Sequence, residues 1–438
     1  MSDSRSPSHA SVSAFEPDEA FARRLDEDDP LRSFRERFCI PTKREDGPGI
    51  YFAGNSLGLQ PKSARELLNQ ELDAWARLGV DGHFEGKRPW YPYHELFRDC
   101  GARLVGGKPG EVVMMNSLTV NLHLMMVTFY RPTVKRRKIL IDYPTFPSDL
   151  YAVKSQLRHH GFDPNDDLIL LRPREGEHIL HHEDILASLA RHGEQTALVL
   201  FNGVNFFTGQ AFDIAGITAA AKRRGCVVGL DCAHAAGNTI LELHDWDVDF
   251  AVWCNYKYLN SGPGAVGGCF VHEKHGACLD LPRFAGWWGN DPDERFQMHL
   301  LPDFVPREGA DGWQVSNPPI MAMAPIKASL DIFDEVGMAA LRTKSQALTG
   351  YLQFLIECEN DGRGPQRYEV ITPREPDRRG CQLSILAHVK PKALFKALAA
   401  EGVVCDFREP NVVRVAPVPL YNTFHEVWRF ARVLNRMV

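Results

Sequence analysis

Between about Pro61 and Leu281, short apolar runs alternate with segments of helical periodicity, the βαβ rhythm of a mostly parallel sheet. The run Glu111-Val112-Val113-Met114-Met115 leads into Asn116-Ser117-Leu118-Thr119, and Val120 to Tyr130 then reads as a helix. Thr119 thus stands at a helix N-terminus, where free backbone amides and the dipole favour a phosphate. Ser117 and Thr119 equally suit a plain N-cap. Lys138 to Asp142 reads as the next strand and delivers Phe146-Pro147-Ser148-Asp149, in which Phe146 can stack on a flat ring. The strand Ala197 to Phe201 delivers Asn202, the one ending at Leu230 delivers Asp231 and His234, and Phe250 to Cys254 delivers Lys257. Five successive strand ends carry polar or aromatic residues, and open α/β sheets bind ligands outside the carboxyl ends of their strands.

The pattern changes after Asn317-Pro318-Pro319. A helical pattern runs from about Ile320 through Glu357, followed by strand-like Tyr368 to Ile371, Cys381 to Leu386 and Asn411 to Val415. A helix near Pro391 to Glu401 and a closing helix from about Thr423 complete it. The fold class expected is α/β: a large domain over 61–320 with a mostly parallel sheet flanked by helices, plus a smaller C-terminal α+β domain over 321–438. Residues 31–60 are expected to pack with the small domain. Residues 1–30 read as a disordered tail, since the stretch to Ala14 is rich in Ser and has no apolar segment of the kind a signal peptide needs. No internal repeat is visible.

The densest chemistry lies in Trp253-Cys254-Asn255-Tyr256-Lys257-Tyr258-Leu259, followed by Ser261-Gly262-Pro263-Gly264. A lysine between a strand end and a flexible turn can form a Schiff base with an aldehyde. A strand-end carboxylate one strand earlier, Asp231, can keep a pyridine nitrogen protonated so that the ring accepts electrons. Taken alone, Lys257 reads more simply as a side chain snorkelling into solvent; the converging strand ends weigh against that. Gly262 to Gly267 formally matches G-x-G-x-x-G, yet it precedes strand-like Cys269-Phe270-Val271 instead of leaving a strand to open a helix, so no dinucleotide site is expected.

Composition narrows the classes further. The 438 residues, 44% hydrophobic and 24% charged, are ordinary for a soluble globular protein, and a net charge of -6 offers no ground for nucleic-acid or anionic-membrane partners. The basic run Lys135 to Lys138 enters a strand and reads as a solvated loop. No apolar stretch approaches the ~20 residues of a membrane span. Ten cysteines without a C-x-x-C pair, several inside apolar runs, suit buried thiols in a reducing cytoplasm. His272-Glu273-Lys274-His275 falls one residue short of H-E-x-x-H, so no metal is expected.

Several separated motifs, in order, resemble the aspartate-aminotransferase-like, fold type I pyridoxal phosphate enzymes, and within them the kynureninases. They are YFAGNSLGLQPK from Tyr51, GHFEGKRPW from Gly82, NSLTVNLHL from Asn116, FPSD from Phe146 and TGQ from Thr208. DCAHAAGN from Asp231, HDWDVDFAVWCNYKYLN from His244, SNPPI from Ser316 and RVAPVPLYN from Arg414 continue the series. The resemblance implies pyridoxal 5'-phosphate carried on Lys257, with Leu118, Thr119 and Tyr256 at its phosphate. It also implies the loop Phe146, Pro147, Ser148 and Asp149 around the ring, Asp231 on its nitrogen, and Asn202 and His234 beside it. Trp287 and Asn317 match positions that complete the cofactor site across a homodimer interface, and Arg414 matches the arginine that holds the substrate carboxylate.

The activity implied is hydrolysis of kynurenine, or its 3-hydroxy derivative, to alanine and the corresponding anthranilate, with Tyr256 as a proton donor. Two departures stand out. Asn202 replaces a frequent Ser or Thr, which still leaves a donor near the cofactor, and Trp288 replaces a frequent Phe on the substrate's aryl ring. His83 and Asn317 resemble the pairing of members that favour the 3-hydroxylated substrate. Two other readings remain open here: a cysteine desulfurase-like or class V aminotransferase-like enzyme, and a cofactor-binding scaffold without catalysis. A desulfurase needs an exposed nucleophilic cysteine, and none lies in an evident glycine-rich lid.

Overall fold

The computed structural model describes residues 15–44, 47–360 and 366–436. Its central sheet has seven strands: β1 (Val112–Met114), β2 (Lys138–Asp142), β3 (Leu168–Leu171), β4 (Thr196–Asn202), β5 (Val227–Asp231), β6 (Phe250–Cys254) and β7 (Gly267–Val271). They lie in the order β1-β7-β6-β5-β4-β2-β3. β7 runs antiparallel to β1 and β6, and every other adjacent pair is parallel. Every residue of β4, β6 and β7 is buried, as strands covered on both faces require. Gly229, inside β5, makes room for the ring of Phe250 on β6, which a Cβ at that position would overlap.

The chain passes from β2 outward to β3 and then returns to the other side of β2 to lay down β4. That reversal is a topological switch point, where parallel sheets open a cleft beyond their carboxyl ends. The four neighbouring strands β6, β5, β4 and β2 end there, and they lead into Lys257, Asp231, Asn202 and Phe146 in turn.

Eight helices matter to the layers: α1 (Glu19–Glu27), α2 (Ser63–Leu78), α3 (Leu118–Phe129), α4 (Pro147–His159), α5 (Ile320–Val336), α6 (Met338–Asn360), α7 (Pro391–Ala400) and α8 (Phe424–Arg436). The C-terminal part holds an antiparallel sheet of β8 (Tyr368–Val370), β9 (Leu383–Ala387), β10 (Asp406–Arg408) and β11 (Val412–Val415), ordered β8-β9-β11-β10.

Three expectations need correction. The helical pattern from Ile320 to Glu357 is two helices, broken at Gly337, whose φ of 76° is left-handed and suits glycine. Met323, Ile326, Leu330 and Phe333 of α5 sit in the core beneath the large sheet, and α5 packs along α2. α5 thus packs with the large sheet, and Leu341 of α6 joins the same core. Residues 31–60 do not pack with the small domain alone: Leu31, Phe38 and Leu59 enter the large core, whereas Ile50 and Phe52 enter the small one. There Ile50–Tyr51 pairs in parallel with Val403–Val404.

The third concerns the expected tail. Residues 1–14 lie outside the described residues, but 19–27 form α1. Asp18 caps that helix by accepting from the Phe21 N–H at 2.9 Å, and Phe21 packs on Tyr351 of α6. Its apolar face, Phe21 and Ala22 with Leu25 beside them, joins the core of the smaller domain.

Candidate active site

Lys257 follows β6 through a turn that the chain braces from two sides. The Gly58 N–H donates to the Tyr256 carbonyl at 2.8 Å, and a Cβ at Gly58 would overlap the Lys257 carbonyl oxygen. Only glycine lets these two backbones approach so closely. On the other side Asn260, left-handed at φ 53°, donates to the Tyr258 carbonyl at 2.7 Å. The lysine Nζ emerges 3.1 Å from His234 Nε2 and 5.7 Å from the centroid of the Phe146 ring.

An ammonium carries donors only, so His234 Nε2 accepts from Lys257 and the ring proton is assigned to Nδ1. Burial, then the charges of Lys257, Arg414 and Arg408, hold the His234 imidazole well below its ordinary pKa. The ring is therefore neutral. Beside it, Asp231 anchors the turn after β5 by accepting from the Ala233 N–H at 2.6 Å. Asp149 lies against Asp231. Burial first, then the charge of Asp231 and a hydrogen bond to it, raise the Asp149 carboxyl well above the usual carboxylate range. Two carboxyls so close cannot both ionise cheaply unless a cationic group intervenes.

Two helix N-termini meet opposite these groups. Asn116, left-handed at φ 49°, turns the chain from β1 into α3, and Asn121 fastens the turn by donating to the Met115 carbonyl at 2.8 Å. α3 starts at Leu118 and α4 at Pro147, neither with a side-chain cap. Thr119 Oγ1 and Ser148 Oγ stand 3.0 Å apart, so the two ends share one site. Uncapped amides, two dipoles and two hydroxyls make an anion cradle.

Asn202 does not behave as expected. Its side-chain amide donates to both carboxylate oxygens of Asp142, at 2.9 and 3.1 Å, and to Thr145 Oγ1 at 3.1 Å. The donor thought free for a cofactor is already used. Asp142, fully buried, also accepts from Asn205 Nδ2 at 3.1 Å, and desolvation pushes its carboxyl up to about 6. Asp142 ends its strand in KILID as Asp231 ends VVGLD, a parallel that could have marked it from the sequence.

Arg414 is 1% exposed and lies on β11, directly opposite Asp406 of β10. It meets Asp406 with Nε at 3.1 Å and Nη2 at 2.7 Å, while Nη1 donates to the Phe206 carbonyl at 2.5 Å. These bonds use three of its five N–H groups and leave one on each Nη for another acceptor. Phe206 in turn sets its ring edge-on to Phe146, centroids 5.4 Å apart. Arg414 is thereby tied to the wall over Lys257.

The remaining expected residues lie elsewhere. Trp288 is 1% exposed and packs against Tyr91 and His94, with the Arg295 guanidinium 4.3 Å from its ring centroid. Trp287 is half-buried against it, Asn317 is exposed, and His83 packs edge-on against Trp90. Among the described residues none of the four hydrogen-bonds to or stacks on the Lys257 group. A cavity of about 660 Å³ is lined by Gly58, Asn260, Ser261, Gly262, Met321 and Pro325 among others, and Lys257, His234, Asp231, Thr119 and Arg414 are not among its lining residues.

Among the described residues one cluster has metal-ligand residue types, Glu111, His244 and His272. Its atoms are engaged in structure. Glu111 accepts from the Lys108 and Glu273 N–H groups and from His244, and His272 Nδ1 accepts from the Lys274 N–H to cap a short helix.

A seven-stranded, mostly parallel sheet with a lysine, a carboxylate and an anion cradle at its switch point, joined to a smaller sheet domain, is the fold type I of pyridoxal phosphate enzymes. Solved structures share it. A cysteine desulfurase from Thermococcus onnurineus superposes with a TM-score of 0.72 at 18% identity, covering 95% of this chain and 98% of that one. An Escherichia coli cysteine desulfurase gives 0.71 at 16%, covering 93% and 98%. At such identities the likeness concerns the fold alone. The family described as kynureninase C-terminal domain matches residues 341–434. Proteins named kynureninase from Myxococcus xanthus and Koribacter versatilis are each 55% identical, over 96% of this chain and 97% and 98% of theirs, respectively. One from Flavobacterium psychrophilum is 50% identical over 95% and 97%. The chain belongs to the kynureninase family.

Proposed function

We propose that the cleft hydrolyses L-kynurenine, 3-hydroxy-L-kynurenine or both to L-alanine and the corresponding anthranilate, with pyridoxal 5'-phosphate as cofactor. The observation that carries it is the meeting of the Lys257 amine, the Asp231–Asp149 pair, the double helix-end cradle and Arg414 in one cleft of a kynureninase-family chain. The residues fit the cofactor. His234 Nδ1 and Asp149 Oδ1 are buried without partners, the cradle has unspent donors, and a protonated ring nitrogen would resolve the strain between two adjacent carboxyls.

Pyridoxal phosphate, when bound, supplies an electron sink for bonds broken at the substrate's α- and β-carbons. The chain's own residues do the rest. Leu118 and Thr119, with Ser148 opposite, would hold the phosphate; Asp231 would pair with the ring nitrogen; Phe146 and His234 would flank the ring. Arg414 offers its two remaining N–H groups, one on each Nη, to the substrate carboxylate, a task suited to a rigid planar guanidinium. The Lys257 amine takes the α-proton as general base. Water adds to the γ-ketone and the bond between the β- and γ-carbons breaks, releasing anthranilate. Tyr256, kept protonated because burial raises its phenol, donates a proton at the β-carbon, and alanine leaves.

Trp287, Asn317, His83 and Trp288 lie away from Lys257 within one chain. That supports a homodimer in which each subunit lends Trp287 and Asn317 to its partner's cleft. The number of free thiols supports a reducing, cytoplasmic setting. His83 and Asn317 favour the 3-hydroxylated substrate. The test is a side-by-side assay of both substrates, following anthranilate release. Turnover is expected with both, better kcat/KM with the 3-hydroxy form, and loss of at least about 10⁴-fold with Lys257→Ala. A yellow protein that releases no anthranilate from either would favour a scaffold.

A further inference from the structure

The carboxylate that orients Arg414 is shared. Asp406 and Arg408 are two apart on β10, so both project from the face of the sheet that carries Arg414 on β11. Arg408 Nε lies 3.0 Å and Nη2 3.1 Å from the Asp406 carboxylate, and its guanidinium is 6.0 Å from the Phe206 centroid, against 5.9 Å for Arg414. Two guanidiniums thus flank one carboxylate over one aromatic ring. One unit of positive charge is left uncompensated. The buried arginine faces inward, while the Arg408 side chain is 36% exposed. His234, next to Lys257, feels both charges, which places Arg408 within electrostatic reach of the cleft.

Resting on the reading of Arg414 given above, we propose that Arg408 is a specificity-determining residue. It supplies the surplus charge that draws α-carboxylate substrates to the Arg414 fork, and Asp406 is the positioning residue that aims both arginines. The surface also explains why the small sheet is pinned so firmly here. Gln382 donates to the Phe206 carbonyl at 3.1 Å, Ser384 to the Phe207 carbonyl at 2.6 Å and Thr372 to the Thr208 carbonyl at 2.5 Å. A carboxylate bound at Arg414 is thereby referred to the loop that carries Phe206.

The experiment compares holoenzyme with Arg408→Gln and Arg408→Lys in three readouts: steady-state kinetics, the Kd of L-alanine from the cofactor's visible spectrum, and the salt dependence of kcat/KM. Arg408→Gln should raise KM and the alanine Kd about fivefold, leave kcat within about twofold and flatten the salt dependence. Arg408→Lys, which keeps the charge, should recover most of the loss. An unchanged KM and Kd in Arg408→Gln would overturn the proposal, as would a fall in kcat alone or a Lys variant as impaired as the Gln. Failure of the wild-type protein to turn over either kynurenine would instead sink the underlying reading, since the alanine Kd tests Arg408 without catalysis.

Discussion

Asp142 is a fully buried carboxyl whose hydrogen bonds to Asn202 and Asn205 only partly offset its desolvation, leaving it at about 6 against 3.8 when free. Between those values the folded protein holds a proton that the unfolded chain has already lost. Stability contributed by this group is therefore highest below about 3.8 and declines as pH rises through about 6, by up to ~3 kcal/mol. In Asp142→Asn the group cannot ionise. Wild-type unfolding free energy measured from pH 4 to pH 6 should fall relative to that variant, and a constant difference across the window would refute the assignment. The same residue corrects the reading of Asn202. A residue type is visible in a sequence, but whether its amide faces a ligand or a buried neighbour depends on a side chain delivered by another strand.

The turns that hold Lys257 and Thr119 show how local chemistry becomes a site. Asn116 and Asn260 accept left-handed backbone just where β1 enters α3 and where the lysine turn closes. Gly58, some two hundred positions before Lys257, matters as much as either. Replacing it with alanine would drive a methyl group into the Lys257 carbonyl oxygen, so the turn must shift. Gly58→Ala should cost at least about tenfold in kcat through misplacement of the amine, with a lower Tm. Wild-type activity in a well-folded variant would show that the turn does not depend on this contact. Strand ends and most helix spans were legible in the chain from apolar period alone. The break at Gly337 was not, because glycine inside a helical pattern is tolerated as often as it is decisive, and only the packing of α5 beneath the large sheet set α5 apart from α6.

For the whole molecule, the separation of Trp287, Trp288, Asn317 and His83 from the lysine cleft bears directly on assembly. If each subunit completes its partner's site, two inactive proteins should repair one another. Lys257→Ala and Asn317→Ala, inactive or nearly so alone, should regain about a quarter of wild-type activity per dimer when co-expressed, since only one site per mixed dimer, and only half the dimers, would be intact. No recovery in co-purified mixed dimers would place Asn317 in its own subunit's site or outside any site. The apolar residues exposed along α2 and beyond, Leu72, Trp75, Val80 and Phe84, together with Phe296 and Leu300, are the surface a partner would cover under that reading.

The protein's sequence alone already contained the five strand ends, the lysine, the strand-end carboxylate and a helix start suited to an anion. These follow from period, turn chemistry and residue type, which act over a few positions. Tertiary structure alone decided which of these groups meet. Two helix ends converge at Thr119 and Ser148, Asp149 presses on Asp231, and Asp406 is shared by two arginines. Such meetings depend on strand order and register between segments tens to hundreds of residues apart, and no local pattern encodes a distance across the fold.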